Sequence, residues 1–241
     1  MLRRLPGPPR AAGIGGREPG RRGQFRFAKA GAGRHDVGMP TPPPRRFDRA
    51  YYDRFYRDPA TRVSDLGAVR KLAKLVAAWT DYLEVPVRHI LDVGCGLGHW
   101  RTAARTLWPR ARWHGVEFSE HLCRRHGWAQ GSIVDFDPQA AFGRSTFDLV
   151  ICQGVLQYLD DRDAAAALRN LARWSDAAMY FEALTRQDWE QHCDRTRTDG
   201  AVHLRTGAWY RRRLTRDFQD CGGCVFVNRR AGCVLFELEG A

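Results

Sequence analysis

The chain has no run of 18 apolar residues among its 241, so no membrane-spanning helix is expected from it. Lysine is nearly absent: Lys29, Lys71 and Lys74 stand against 36 arginines. Such a bias fits a GC-rich genome, in which upstream reading frames stay open by chance. There is no internal repeat, and no second C-x-x-C joins the single pair Cys221/Cys224. A lone pair of this kind does not make a zinc site, so no metal is expected. The other cysteines are Cys95, Cys123, Cys152, Cys193 and Cys233. Seven in all, odd in number and scattered, they read as free thiols of a reducing, cytoplasmic compartment rather than a disulfide framework.

What is present in excess is positive charge, +12 in all, and its position matters more than its size. Residues 1–46 hold eleven Arg or Lys against two acids, whereas the remainder holds 28 basic and 25 acidic residues. The excess therefore belongs mostly to the tail, and the rest is nearly balanced, which argues against a nucleic-acid partner. That tail also holds nine Gly and eight Pro without a helical or alternating apolar period. Such a stretch cannot bury enough surface to offset its ordering entropy and is expected to be disordered, with Met39 as an alternative start. The domain boundary is accordingly placed at 47, giving a tail of 1–46 and a domain of 47–241.

Within 47–241 the apolar pattern alternates between two periods. "FDRAYYDRFYRD" (47–58) reads as a short aromatic helix. Ser64 reads as the N-cap of an amphipathic helix with Leu66, Val69, Leu72, Val76, Trp79 and Leu83 on one face. Strands are expected at "RHILDV", "RWHGVEF", "GSIVDF", "FDLVICQ" and "AAMYFEAL", with helices at 98–107, 119–126 and "DAAAALRNLAR" between them. Strands alternating with helices imply a parallel sheet covered on both faces. "CVFVN" and "CVLFELE", joined by "RRAG", read as a closing antiparallel hairpin. Residues 184–218 form a polar and aromatic insert of the length that functional loops often have.

The stretch "ILDVGCGLGHW" (90–100) ends a strand on Asp92 and turns into a helix through Gly94, Gly96 and Gly98. Missing Cβ atoms at such a turn serve the turn itself or let a ligand touch the backbone. The nicotinamide fingerprint G-x-G-x-x-G would need a third glycine where this chain has His99. The next strand ends in Glu117, whose carboxylate suits the two hydroxyls of a ribose.

In order along the chain, "ILDVGCGLG", "GVEFSE", "GSIVDF" and "FDLVICQGVLQYLDD" resemble the successive motifs of class I S-adenosylmethionine-dependent methyltransferases, over about residues 50–185. The resemblance implies an α/β, Rossmann-like, doubly wound and mostly parallel seven-stranded sheet with a C-terminal antiparallel hairpin and an N-terminal helical cap. It implies S-adenosyl-L-methionine as cofactor. Asp92, Gly94, Cys95 and Gly96 would lie at its methionine part, Glu117 at the ribose, Phe118 against the adenine, Ser132 and Ile133 at the adenine edge, and Gln153 near the sulfonium or amino group. Ser132 departs from the aspartate often found there, and nearby Asp135 is out of register. Arg62 reads as a surface arginine, with the cofactor carboxylate as the alternative.

The acceptor is less legible. The motif (N/D)-P-P-(Y/F) of amino-methylating DNA enzymes is replaced here by "QGVL", and no Pro-Cys pair marks a cytosine C5 nucleophile. "QGVLQYL" resembles the small-molecule branch. The alternatives are methylation of protein or RNA, and a non-catalytic scaffold or regulator that binds the cofactor. Candidates for the acceptor pocket are Tyr51, Tyr52, Tyr56, Gln157, Tyr158, Glu182, Trp189, His192, His203, Arg205, Trp209 and Tyr210. Among them His203, His192 and Tyr158 are the candidate proton acceptors. The run Arg211, Arg212, Arg213 and Arg216 reads as a solvated helix face, or else as recognition of an acidic acceptor. Removing residues 1–38, so that the chain begins at Met39, leaves cofactor affinity unchanged when the full and shortened chains are compared by calorimetry.

Overall fold

The computed structural model describes residues 47–240; the basic tail and the Met39 start lie outside the described residues. The helical cap comes first. Helix α1 (Arg49–Tyr52) begins where the Asp48 side chain accepts from the Tyr51 N–H, and it passes directly into a π-helical turn at Asp53–Arg57. Helix α2 (Leu66–Tyr82) buries Val69, Ala73, Val76 and Thr80, the stripe that its 3.6-residue period puts on one side. Its N-cap is Asp65, which accepts from the Ala68 N–H, and not Ser64 as the sequence suggested. The position one residue later places the carboxylate over the free N–H groups of the first turn.

The sheet has seven strands in the order β3-β2-β1-β4-β5-β7-β6. Strand β1 (His89–Val93) leads into α3 (His99–Leu107), β2 (Arg112–Glu117) into α4 (Glu120–His126) and the two-residue β3 (Ala129–Gln130). A short α5 (Pro138–Phe142) precedes β4 (Phe147–Gln153). A 3-10 turn (Leu156–Tyr158) and α6 (Asp161–Trp174) lead into β5 (Ser175–Glu182). The insert carries α7 (Arg186–Gln191) and α8 (Gly207–Leu214), and β6 (Phe218–Asp220) with β7 (Val225–Asn228) closes the sheet antiparallel.

The central strands read as continuous apolar runs because both faces are covered. Along β4, Val150 and Cys152 belong to one core with α6 and α8, while Leu149 and Ile151 belong to a second core with α2 and α3. Leu91 and Val93 of β1, and Met179 and Phe181 of β5, join the first core; Ile90, Ala178 and Tyr180 join the second. Each such side chain contributes about 1.5–3 kcal/mol of burial.

Two strands differ from the sequence reading. "GSIVDF" is a turn, not a strand: the Ser132 carbonyl accepts from the Asp135 and Phe136 N–H groups. The buried Asn170 of α6 donates to the Ile133 and Val134 carbonyls at 2.8 and 2.9 Å, so those two carbonyls are taken from any ladder. Likewise "CVLFELE" leaves the sheet. The outer partner of β7 is 218–220, and Cys221–Cys224 forms the connecting turn, where Cys221 N–H donates to the Val225 carbonyl. After β7, Arg230 donates to the Ala172 and Ser175 carbonyls and draws the chain off the sheet edge. Among the described residues no helix is long and apolar enough to cross a membrane, and the seven cysteines are free. Replacing Asp65 by Ala lowers stability by about 1 kcal/mol in urea unfolding, whereas Ser64→Ala leaves it unchanged.

Candidate functional site

Strand order reverses between β1 and β4, and in open sheets the ligand crevice opens there beyond the carboxyl ends of the strands. Those ends carry Asp92, Glu117, Gln153 and Glu182 on β1, β2, β4 and β5. The glycine loop between β1 and α3 folds back on β2: the N–H groups of Gly94 and Cys95 both donate to the Val116 carbonyl.

The first two glycines have different reasons to be there. Both take the left-handed conformation, with φ of 71° and 51°. A Cβ on Gly94 would fall inside the Val155 side chain, so that glycine serves packing. A Cβ on Gly96 would meet nothing nearer than 3.9 Å, so the backbone there is open to a ligand. Trp128 steadies this loop from outside by donating its indole N–H to the Gly96 carbonyl at 3.0 Å, a role that nothing in the sequence pattern signals.

Glu117 is 5% exposed and collects three donors. Its Oε2 accepts from Gly96 N–H at 2.8 Å; its Oε1 accepts from Ser119 N–H at 2.9 Å and from the Tyr52 hydroxyl at 3.3 Å. Tyr52, expected at the acceptor, therefore belongs to the carboxylate at the end of β2. Phe118 beside it is 59% exposed and meets Phe47 edge-on at 6.2 Å, a free aromatic wall. Ser132 lies half-buried in the turn after β3 with its Oγ accepting from Val134 N–H, Ile133 is buried against the first core, and Asp135 is exposed.

Asp92 is 2% exposed, and its Oδ2 has no hydrogen-bond partner among the described residues. Burial first, and the Glu117 charge second, push its carboxyl up to about 8; the nearby Trp113 N–H opposes this without reaching hydrogen-bond distance. Cys95 next to the loop is buried, and its thiol is pushed up by burial and by Asp92, so it is inert as a nucleophile. At the other side of the crevice, Gln153 accepts from the Trp100 indole at 2.8 Å and donates to Glu182 Oε2 at 3.2 Å. Tyr180 donates to the same Glu182 oxygen at 2.6 Å. Trp100 and Tyr180 were not singled out by sequence, although Trp100 closes the glycine stretch itself.

The acceptor candidates divide. Tyr51 and Tyr158 share a hydroxyl–hydroxyl hydrogen bond of 2.8 Å, with Tyr56 and Phe47 packed against Tyr51. Burial raises the Tyr51 hydroxyl, which makes it a donor rather than a base. His203 is half-buried, and its backbone N–H donates to the Gln157 carbonyl beside Tyr158, whereas His192 is exposed at the end of α7. Arg205 is not available to a ligand. Its guanidinium, 3% exposed, pairs with Asp161 at 2.7 Å and donates to the Leu156 and Leu159 carbonyls and the Tyr210 hydroxyl. It straps the insert to the turn after β4. Trp209 is packed between Arg205 and Arg213, and Trp189 under Arg195. Arg211, Arg212 and Arg216 are exposed on and after α8, and Arg62 pairs with Asp65 at 2.9 Å. Among the described residues no group of three His, Cys, Asp or Glu is placed to hold a metal.

The Asp92 carboxyl gives the site a pH signature. Its folded value of about 8 lies above its ordinary 3.8, so the folded protein binds more protons between them. Stability therefore falls as pH rises through that window and levels off above it. Asp92→Asn flattens this slope and raises the melting temperature of the free protein at pH 8, as read by calorimetry across pH.

Residues 91–176 match the family model described as "Methyltransferase domain". A malonyl-[acyl-carrier protein] O-methyltransferase of Legionella pneumophila subsp. pneumophila is 32% identical over 84 residues, 32% of this chain; the match spans 30% of that relative's length. Among solved structures, the plantazolicin methyltransferase BpumL, in complex with a pentazolic desmethylPZN analog and SAH, is 17% identical with a TM-score of 0.50. That likeness covers 69% of this chain and 66% of that one, and at such identity it speaks to the fold. DesVI of Streptomyces venezuelae, also 17% identical, gives a TM-score of 0.47 over 66% of this chain and 90% of its own. Residues 91–176, from β1 into the start of β5, are therefore the part of the chain that is similar to a methyltransferase domain.

Proposed function

We propose that this domain, residues 47–241, is a cytoplasmic S-adenosylmethionine-dependent methyltransferase acting on a small-molecule acceptor. The observation that carries the reading is the pairing of an open Gly96 with a buried Glu117 at the strand-order switch. The residues present fit that cofactor. Gly96 leaves space where a side chain would stand, and Asp92 holds a buried carboxyl oxygen that meets no donor among the described residues. A carboxylate offers about four acceptor positions, and Glu117 has three filled. A ribose hydroxyl would be held at the fourth, and the Tyr52 bond is the longest of the three. Phe118 would flank the adenine, Ser132 and Ile133 its edge, and Gln153, held by Trp100 and Glu182, would bound the methyl-bearing end.

The bound cofactor supplies a methyl on a sulfonium, an electrophile that needs alignment more than activation. The chain's own residues therefore position and dehydrate. The cap tyrosines and the insert would border the acceptor side, with Tyr51 and Tyr158 held to each other by their hydroxyls. His203, half-buried beside the turn that carries Tyr158, is better placed than exposed His192 to take a proton from an acceptor N–H or O–H. The small-molecule reading draws support from the tyrosine cluster of the cap and from the O-methyltransferase relative, which shares one segment with this chain.

Thermal unfolding separates this reading from the alternatives. At 100 times its dissociation constant, S-adenosylmethionine or S-adenosylhomocysteine adds about 2.7 kcal/mol of stability, and NAD adds none. Glu117→Ala abolishes the shift; an unchanged melting temperature with both sulfur ligands defeats the proposal. In a screen of acceptors read by S-adenosylhomocysteine formation, His203→Ala lowers turnover by about a hundredfold and leaves cofactor binding intact. Cofactor binding with no turnover on any small molecule would favour the scaffold reading.

A further inference from the structure

We infer that Glu182, at the carboxyl end of β5, selects the acceptor by binding a protonated amine on it through the free oxygen Oε1. The inference rests on the small-molecule reading above and narrows it to amine-bearing compounds. Strand β5 neighbours β4, and the register sets Glu182 level with Gln153, one strand beyond the strand-order switch. The carboxylate is oriented by a short network. The Trp100 indole donates to Gln153 Oε1 at 2.8 Å, and the Gln153 amide donates to Glu182 Oε2 at 3.2 Å. The Tyr180 hydroxyl donates to the same Oε2 at 2.6 Å, and the Trp100 and Tyr180 rings, both buried, lie 5.1 Å apart.

Both donors thus fall on one oxygen of a half-buried residue. Oε1 takes no donor among the described residues, and no arginine or lysine among them pairs with this carboxylate. That is notable in a chain with 36 arginines. A second acceptor lies close by. The N–H of Gly154 donates to the Glu182 carbonyl at 2.9 Å, and a Cβ on Gly154 would stand 3.5 Å from the Gln157 amide nitrogen. Gln157 is 8% exposed, and its Oε1 has no partner among the described residues. A buried amide oxygen is normally paired, so this one is placed for a donor that the chain does not supply.

The charge around Glu182 favours a cation. The Cys224 carbonyl accepts from Phe181 N–H of β5 at 2.9 Å. Burial first, and then the charges of Glu182, Asp220 and Asp188, push the Cys224 thiol up to about 11, so three acids stand around this end of the crevice. In the insert, Arg205 is spent on Asp161 and carbonyls, and Arg213 lies over the Trp209 ring. An anionic acceptor therefore meets like charge at Glu182. A hydroxyl brings one donor, whereas an ammonium brings three and no acceptor, which is the complement of oxygens that lack donors.

Three probes of one shape test this on the full chain: benzylamine, benzyl alcohol and benzoate. Binding is read by chemical-shift titration, with and without S-adenosylhomocysteine. Benzylamine binds about tenfold or more tighter than benzyl alcohol, benzoate does not bind, and added salt narrows the preference. Glu182→Gln keeps an oxygen for the Tyr180 and Gln153 donors but sets an amide NH2 in place of Oε1. It brings benzylamine down to the affinity of benzyl alcohol and leaves the melting temperature and the affinity for S-adenosylhomocysteine unchanged. Equal binding of the three probes, no binding of benzylamine, or a preference that survives Glu182→Gln overturns the inference. So does loss of S-adenosylhomocysteine affinity in Glu182→Gln, which would assign this carboxylate to the cofactor. If S-adenosylhomocysteine does not bind the unaltered chain, the cofactor reading fails, and the amine preference is still decided by the titrations without it.

Discussion

The carboxylate of Glu117 is the point on which the site depends. Placing a charge in a nearly closed interior is costly unless donors surround it, and here three do. One comes from the glycine loop, one from the backbone that starts α4, and one from the helical cap. The same group therefore fixes the loop against β2, sets the N-terminal turn of the next helix, and anchors a cap more than sixty residues away in sequence. A charge-assisted bond to Gly96 N–H also holds that glycine where its bare Cα faces open space. The loop is shaped before any ligand arrives.

Around this point the strand ends sort by environment. Asp92 is dry, unpaired on one oxygen and hard to ionise, whereas Glu182 sits half-exposed with two donors on one of its oxygens. The guanidinium of greatest burial, Arg205, is spent on carbonyls and Asp161 and makes the insert a fixed wall. The arginines left exposed on α8 lie beyond that strap.

Much of this was legible in the chain. The strands with apolar character on both sides, β1, β2, β4 and β5, lie within a residue or two of their expected places, because the central stretch of a strand buried on two faces is mostly apolar. Asp92, Glu117 and Glu182 mark the carboxyl ends of β1, β2 and β5, while Asp148 and Asp176 lie near the amino ends of β4 and β5. Less legible were the short elements. "GSIVDF" has the composition of a strand, but Asn170, thirty-seven residues away, takes up its carbonyls. "CVLFELE" alternates as a strand does, yet Arg230 and Asn228 tie the preceding turn to α6 and β5 and steer it away. Period describes a preference; pairing needs a partner with free backbone groups.

The sequence by itself determined the alternating fold, the glycine turn after Asp92 and the acid that follows it, since these are encoded in neighbours a few residues apart. Only the tertiary structure decided that Gly94 is a packing glycine and Gly96 an open one, that Tyr52 belongs to Glu117, and that Arg205 is a strap and not a ligand clamp. Each of those distinctions rests on what stands across a gap from the residue, and a linear pattern carries no distances across gaps.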